Sequence, residues 1–357
     1  MLLELTDTLI NYSNHQERMV IDSMSNILIG YYEGSHLLMA SDEVCDNFAK
    51  KIKDDRALAA LRYLKSHNSY EYDVVIRIKV VLEEAIAENK EINISFFQKT
   101  ISMTPTKIIG ENINDAYFYY YLLAASLPPD QLSSLNYLPD YGGGNELFKK
   151  VQNLVTDNNC ISLIIVDSDQ KYPGCKDGNT YSSIAKIYSN DKPNIYLYKI
   201  PVHEVENLIP FSYIEKNLAK EQRVRLQKFC ASLSSSPNFS QIMQFYDIKE
   251  GISVKHILED KQYYNFAESI YNSLYPNNKK TFEQHIKALQ ASSKNELFPK
   301  LSDNLLEKFI KHVGILNKEL TIYPLYYSSS EVINIVKNIQ QLVYAYICAR
   351  NSDPINI

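Results

Sequence analysis

The sequence predicts an α/β protein in which a parallel-sheet domain lies between two helical regions. Apolar residues recur three and four positions apart in the first and last thirds of the chain, whereas the middle third alternates short apolar strands with helices. The run "SLIIV" at 162–166 contains four consecutive apolar residues, a pattern typical of parallel strands covered on both faces. We predict a helical region at 1–104, an α/β domain at 105–212 and a helical region at 213–357.

The individual elements follow from these patterns. The first third contains "RALAALRYL" and "DVVIRIKVVLEEAIAENK", which we interpret as helices, and the Thr104-Pro105 step ends this texture because a residue before proline avoids the helical region. The middle third supplies the predicted strands "TKIIG", "LNYLP", "ISLIIVD" and "NIYLYKI", separated by the predicted helices "DAYFYYYLLAAS" and "NELFKKVQNLVT". Four further helical patterns follow residue 213, beginning with "EKNLAKEQRVRLQKFCASL".

Composition restricts the class of protein. The 357-residue chain carries a formal net charge of −5, so its overall field does not attract nucleic acid or an anionic membrane, and a phosphate partner would have to be held locally. The five cysteines form no CxxC pair, which argues against a disulfide framework or a zinc site and favours the reducing cytoplasm. No basic leader and no apolar run of membrane-spanning length is present, so we expect neither secretion nor membrane insertion.

The candidate chemistry begins where the strand "SLIIV" ends. Asp167 and Asp169 follow it, at the strand edge where open α/β sheets bind ligands. Two carboxylates this close repel each other unless a hard cation such as Mg²⁺ neutralises them, although Asp169 could instead cap the following turn. Glu111 also ends a strand, and right-handed crossovers would bring both strand ends to the same edge of the sheet. We therefore expect these three acids to converge.

These residues resemble the TOPRIM domain of topoisomerases, primases and OLD-type nucleases. The resemblance covers about 105–212 and rests on "GENIND", "YGGGNELFKKVQNL", "DSD" and "HEVENLIP". It implies a TOPRIM-like, Rossmann-like parallel sheet and a Mg²⁺- or Mn²⁺-dependent endonuclease that hydrolyses phosphodiester bonds in DNA or RNA. Because related members act in anti-phage defence, it also implies a toxic antiviral effector in the cytoplasm, held in check by a regulatory ATPase. The oligomeric state stays open.

The resemblance also assigns roles to particular residues. Lys171 stands where topoisomerase members carry a third acid, so one-metal and two-metal sites are both open; it could hold the scissile phosphate or be a solvated loop lysine. Asn112 replaces the glycine usual after the family's glutamate. The implied catalytic residues are Glu111, Asp167, Asp169 and Lys171; the implied metal ligands are Glu111, Asp167, Asp169 and Glu206; and the accessory candidates are Asp115, Glu204, Gly143 and Gly144.

Three weaker signals complete the list of candidates. The glycines at 142–144 precede a helix and could cradle a phosphate or simply form a tight turn. His203 lies beside Glu204 and could reach a phosphate, although a surface histidine with ordinary partners is the simpler interpretation. A basic helix could contact a nucleic-acid backbone or be a solvated face; its candidate contacts are Lys220, Arg223, Arg225 and Lys228.

Other functions fit parts of the same pattern. A nucleotide-sugar glycosyltransferase also places a metal-binding DxD after an apolar strand, but it would not need Glu111. A phosphatase with an aspartate nucleophile usually opens its domain with that motif. A non-catalytic sensor or scaffold could keep the sheet and use the helical flanks to bind a partner.

Overall fold

The computed structural model describes residues 1–67, 76–83, 85, 90–143, 145–188, 194–210, 213–214, 220–233, 239–275, 277–292, 295–298, 300, 304–315, 320–322 and 329–350. The chain forms two compact units that are not continuous in sequence. Unit 1 comprises 1–166, 183–198 and 338–357, and unit 2 comprises 167–182 and 199–337. These bounds differ from the predicted boundaries at 104 and 212, because the chain leaves unit 1 at the end of a strand and returns to it.

Unit 1 contains a parallel sheet that the sequence patterns did not reveal. Its strands are β1 (Leu2–Leu5), β2 (Leu37–Ala40), β3 (Ile78–Val81) and β4 (Glu91–Asn93), in the order β2-β1-β3-β4, and neighbouring strands run parallel. The prediction of a purely helical region at 1–104 is therefore wrong. The strands have three or four residues, too few for a clear period, and "IRIKV" alternates as a strand does within the predicted helix at 73–90.

Three helices accompany this sheet, and one of them contains a predicted helical pattern. They are α1 (Glu17–Tyr32), α2 (Asp42–Ala49) and α3 (Asp55–Ser66), the last of which contains "RALAALRYL". Ser41 and Asp54 cap α2 and α3, since their side-chain oxygens accept hydrogen bonds from backbone N–H groups of the first turn. Local sequence thus determines where these helices begin.

A second four-stranded sheet contains the strands predicted for the middle of the chain. They are β5 (Thr106–Gly110), β6 (Tyr137–Tyr141), β7 (Ser162–Val166) and β8 (Ile195–Lys199), in the order β6-β5-β7-β8. β5 runs parallel to both neighbours, and Ile109 is in register with Ile164 of β7. The intervening helices are α4 (Ile113–Ala124), α5 (Asn145–Asp157) and α6 (Asn179–Ile187). All five residues of β7 are buried, which confirms the α/β prediction for this segment.

Unit 2 is mainly helical, as the C-terminal patterns predicted. Its helices are α7 (Lys220–Leu233), α8 (Phe239–Phe245), α9 (Val254–Glu259), α10 (Lys261–Leu274), α11 (Phe282–Ala291) and α12 (Leu305–His312), and α13 (Ser330–Ile347) leads back to unit 1. Two short antiparallel strands, β9 (Ile252–Ser253) and β10 (Glu296–Phe298), are an addition that the sequence did not indicate. None of the helices in the described part of the chain combines the length and the hydropathy that crossing a bilayer requires.

Candidate functional site

The Asp167–Asp169 turn is attached by hydrogen bonds to the segment that follows β8. The Ser168 hydroxyl donates to the carbonyl of Val202 at 2.5 Å, and the Asp169 N–H donates to the carbonyl of His203 at 3.0 Å. The Val205 N–H donates to Oδ1 of Asp167 at 3.0 Å. The turn and the segment therefore hold each other in place, so the carboxylates of both lie in one region of unit 2.

Asp169 has a left-handed backbone, with φ of +52°. This conformation costs most residues free energy but is tolerated by Asp and Asn, and it is typical of functional sites when a non-glycine residue holds it. Gly178 packs directly against this residue, since a Cβ built on the glycine would lie 2.0 Å from Oδ2 of Asp169. The Gly178 N–H also donates to the carbonyl of Ser168 at 2.8 Å. Only a glycine leaves room for the aspartate side chain here.

The segment after β8 turns into a short 3-10 helix, Val205–Leu208, whose first residue donates its N–H to Asp167 of the turn. The Glu204 N–H donates to Oδ1 of Asn207 at 3.1 Å, and the Asn207 amide donates to the carbonyls of Met243 and Tyr246, both at 2.9 Å. Asn207 is buried, so these bonds satisfy an amide that would otherwise be costly. They also tie the 3-10 helix to the end of α8.

Five ionisable side chains, from the segment after β8 and from the segment after α8, lie close together. We call them the acidic cluster: His203, Glu204, Glu206, Asp247 and Lys249. The Lys249 ammonium lies 2.9 Å from Oε2 of Glu204 and 3.3 Å from Oε2 of Glu206. Nε2 of His203 lies 3.5 Å from Oδ2 of Asp247 and 3.8 Å from Oε1 of Glu204. His203 and Glu206 are buried, and the other three are half-buried.

Burial and mutual charge shift the pKa values within the acidic cluster. Burial raises the pKa of Glu204 to about 7, although the charges of Lys249 and His203 act against it. Burial acts to lower the pKa of Lys249, but the charges of Glu206 and Glu204 outweigh it and raise that pKa. Burial also acts to lower the pKa of His203. The Asp247 and Glu204 carboxylates outweigh this effect and raise that pKa. A carboxyl group that titrates near neutrality can exchange protons at physiological pH.

Glu111 and Asp115 belong to unit 1. Glu111 directly follows β5, and Asp167 directly follows β7, its parallel neighbour in the sheet. Asp115 is buried and its Oδ2 accepts the Asn112 N–H at 2.7 Å, while Asn112 caps α4, so the two form a capping box. Asp115 therefore has a structural role at the start of α4, and Asn112 is needed there as a capping residue.

The glycine-rich turn before α5 is described only in part. The Gly142 N–H donates to the carbonyl of Gly110 at 3.3 Å, and the Glu146 N–H donates to that of Gly143 at 3.0 Å. Gly143 is exposed, and its missing Cβ would meet only the Glu111 carbonyl, at 3.9 Å. Gly144 lies outside the described residues. The turn packs against the end of β5, as a strand-to-helix turn of this kind should.

Three of the basic candidates have described side chains, and all three belong to unit 2. Lys171 is exposed, and its ammonium lies 6.0 Å from the ring centroid of Tyr263. Lys220 is exposed at the start of α7 and Arg223 is half-buried in the same helix. The side chains of Arg225 and Lys228 lie outside the described residues, although the helix itself is confirmed.

Sequence reasoning missed two members of the acidic cluster and misjudged a third. Asp247 and Lys249 follow α8 in "YDIKEG", with no motif and about 80 residues after the DxD, so no local pattern relates them to it. His203 is not a surface residue, since only 3% of it is exposed. Its burial follows from its position between the DxD turn and the end of α8, which single-sequence patterns do not reveal.

Comparison of the chain with models of protein families, with curated proteins and with solved structures gives no significant match.

Proposed function

We propose that this chain is a metal-dependent nuclease with a TOPRIM-like catalytic unit, which hydrolyses phosphodiester bonds of DNA or RNA. One observation carries the proposal. The acidic pair Asp167 and Asp169 leaves a buried parallel strand with strained backbone at its second member, and hydrogen bonds attach it to a segment that supplies two further carboxylates. Glu111 ends the neighbouring parallel strand. Strain retained beside a concentration of buried charge is typical of catalysis.

The donor set of this turn fits a hard divalent cation. Asp167, Asp169 and Glu206 offer carboxylate oxygens, which Mg²⁺ and Mn²⁺ prefer. Glu206 is buried, and the Lys249 ammonium lies 3.3 Å from its Oε2. Such an ion, when bound, supplies positive charge for a phosphate and lowers the pKa of its bound water. Glu111 is the proposed further ligand or general acid/base, as the TOPRIM resemblance implies.

Other side chains would act directly on the substrate. Glu204, with its pKa near 7, can take up or release a proton at physiological pH. Lys171 is exposed on the same loop as the aspartate pair and can pair with a phosphate oxygen. Lys220 and Arg223 of α7 could add backbone contacts, which supply the local positive charge that the overall charge of −5 does not.

The biological setting belongs to the same proposal. The resemblance to OLD-type and related defence nucleases suggests a cytoplasmic antiviral effector restrained by an ATPase partner. Co-purification from the native host, followed by sequencing of the nucleic acids cut on induction, would identify the partner and the substrate.

The test is a cleavage assay on supercoiled, linear and single-stranded DNA and on RNA, with Mg²⁺ or Mn²⁺ and with chelator. We expect Asp167→Asn and Asp169→Asn to reduce the rate by about 10²–10³-fold, as loss of an electrostatic catalytic group does. Glu111→Gln should be comparably severe; a mild effect would show that cleavage does not need Glu111. Glu259→Gln, at an exposed position on α9, is the matched control. If no substrate is cut, or if Asp167→Asn cuts at the wild-type rate, the proposal fails.

A non-catalytic scaffold has one observation in its favour. The Lys249 ammonium already neutralises part of the charge of Glu204 and Glu206, as it would in a purely structural cluster. Binding of Mg²⁺ without turnover of any nucleic acid would support this second function.

A further inference from the structure

The imidazole of His203 is buried and oriented, yet one of its nitrogens is left without a partner. Nδ1 lies 3.1 Å from the carbonyl oxygen of Gln170, and because a carbonyl only accepts, Nδ1 carries the proton. In the neutral ring the lone pair is then on Nε2. That atom is inaccessible to solvent and makes no hydrogen bond to any part of the chain that the structure describes. Nothing in the proposed nuclease chemistry uses it.

Two carboxylate oxygens face Nε2 at distances that suit a shared ion better than a hydrogen bond. They are Oδ2 of Asp247 at 3.5 Å and Oε1 of Glu204 at 3.8 Å. An N–H···O hydrogen bond spans about 2.7–3.2 Å. Two ligands bound tetrahedrally to an ion at about 2.0–2.1 Å lie about 3.4 Å apart. The three atoms lie within 4.8 Å of one another, so modest side-chain movement would complete such a site.

The remaining polar atom of each of these three side chains is held by another group. Gln170 holds Nδ1 of His203, the Lys249 ammonium lies 2.9 Å from Oε2 of Glu204, and the Glu250 N–H donates to Oδ1 of Asp247 at 2.7 Å. Outer contacts of this kind orient metal ligands and fix the histidine tautomer. Each side chain therefore presents one defined atom to the same point.

The charges of the acidic cluster can also accommodate a divalent cation. Glu204, Glu206 and Asp247 carry three negative charges when ionised, Lys249 carries one positive charge, and His203 is neutral as a ligand. Two negative charges remain, which a divalent ion would balance. The side chains of Glu204 and Asp247 are 15% and 16% exposed, whereas Nε2 of His203 is inaccessible to solvent, so an ion would enter past the two carboxylates.

We propose that Nε2 of His203, Oε1 of Glu204 and Oδ2 of Asp247 bind a transition-metal ion of the Zn²⁺ or Mn²⁺ class. An imidazole nitrogen with two carboxylates suits these ions, whereas Mg²⁺ prefers oxygen ligands alone. Three protein ligands leave a further position for water or a phosphate oxygen. The site uses different atoms from the oxygen-only set of Asp167 and Asp169 and shares only Glu204 with the proposed nuclease chemistry, and it can bind a metal whether or not the chain is a nuclease.

The test is metal binding by the full-length chain after removal of metals with a chelator. Co²⁺ serves as the probe because its visible absorption reports nitrogen and oxygen ligation directly. In the presence of millimolar Mg²⁺, which fills the oxygen-only set, we expect one equivalent of Co²⁺ to bind and Zn²⁺ to displace it. His203→Asn and Asp247→Asn should each weaken binding by about 100-fold or more, since loss of outer contacts alone costs up to that factor. His256→Asn, at an exposed position on α9, is the matched control and should bind normally.

A measurement on the wild-type chain tests the same ligands without any substitution, so it stays informative if the variants fail to fold. Pulsed EPR of the Mn²⁺-loaded protein should show coupling to an imidazole nitrogen. Absence of that coupling, absence of saturable Co²⁺ binding, or normal binding by both variants would overturn the proposal and leave an ion pair between His203 and Asp247. Metal binding without nucleic-acid cleavage would support this site while refuting the nuclease, and cleavage without Co²⁺ binding would do the reverse.

Discussion

Replacing Glu204 by Gln should make the metal-free protein more stable at alkaline pH, because the folded state disfavours the charged carboxylate. Burial raises the pKa of Glu204 from its ordinary 4.5 to about 7. A rise of about 2.5 pH units corresponds to about 3 kcal/mol, at about 1.4 kcal/mol per unit. Gln resembles the protonated acid in shape and carries no charge, so the variant should avoid this cost.

The sign and the pH window follow from linkage. Below pH 4.5 the carboxyl is protonated in both states and contributes nothing. Between pH 4.5 and 7 the folded state binds more protons than the unfolded state, so stability falls as the pH rises. Above pH 7 both states are ionised and the full cost of about 3 kcal/mol remains. The difference between Glu204→Gln and wild type should therefore grow from pH 4.5 to pH 7 and then stay constant.

The assay is urea unfolding followed by pulse proteolysis, in the presence of chelator, at several values between pH 4.5 and pH 8. The chain contains no Trp, so fluorescence is a weak probe. Glu250→Gln, at an exposed position beside the acidic cluster, is the control and should show no such pH dependence. A stability difference that is the same at pH 5 and pH 8, or a Gln variant that is less stable at pH 8, would refute the reasoning.

Three further predictions concern the DxD turn and the core of unit 1. Gly178→Ala should destabilise unit 2 by about 1–3 kcal/mol because the new methyl overlaps Asp169. Gly143→Ala is the stability control. Equal urea midpoints for Gly178→Ala and the wild type would contradict the packing of Gly178 against Asp169. Asp169→Gly should be about 1 kcal/mol more stable than Asp169→Ala in the same assay, since only glycine accepts the left-handed backbone without strain; the reverse order would contradict this. Burial holds the pKa of His36 well below its usual value. The free energy of unfolding should therefore fall by about 2 kcal/mol from pH 6.5 to pH 5, because the unfolded chain binds a proton that the folded chain does not. If His36→Leu shows the same dependence of unfolding free energy on pH as the wild type, this prediction is wrong.

The four strands of the middle segment and the helices α4 and α5 could be predicted from the sequence because each shows its own pattern, whereas α6 was not predicted. β7 is a continuous apolar run, and α4 begins at a capping box whose residues are close in sequence. The sheet formed by β1–β4 could not be predicted in the same way. Its strands have three or four residues, and the amphipathic helices around them dominate any longer window.

The residues of the candidate site also fall into two groups, those predicted from local sequence and those placed only by the tertiary structure. Sequence alone identified Asp167 and Asp169, because a strand followed directly by two acids is a local pattern, and it named Glu204 and Glu206 as nearby candidates. Tertiary structure alone placed Asp247 and Lys249 against those glutamates and buried His203 between them. Long-range placement depends on how the end of α8 packs against the segment after β8, through Asn207, and no spacing in the chain encodes that packing locally. The sequence by itself therefore determined which acids end the strands. The tertiary structure decided which charged side chains contact one another in the acidic cluster, because those contacts join distant parts of the chain.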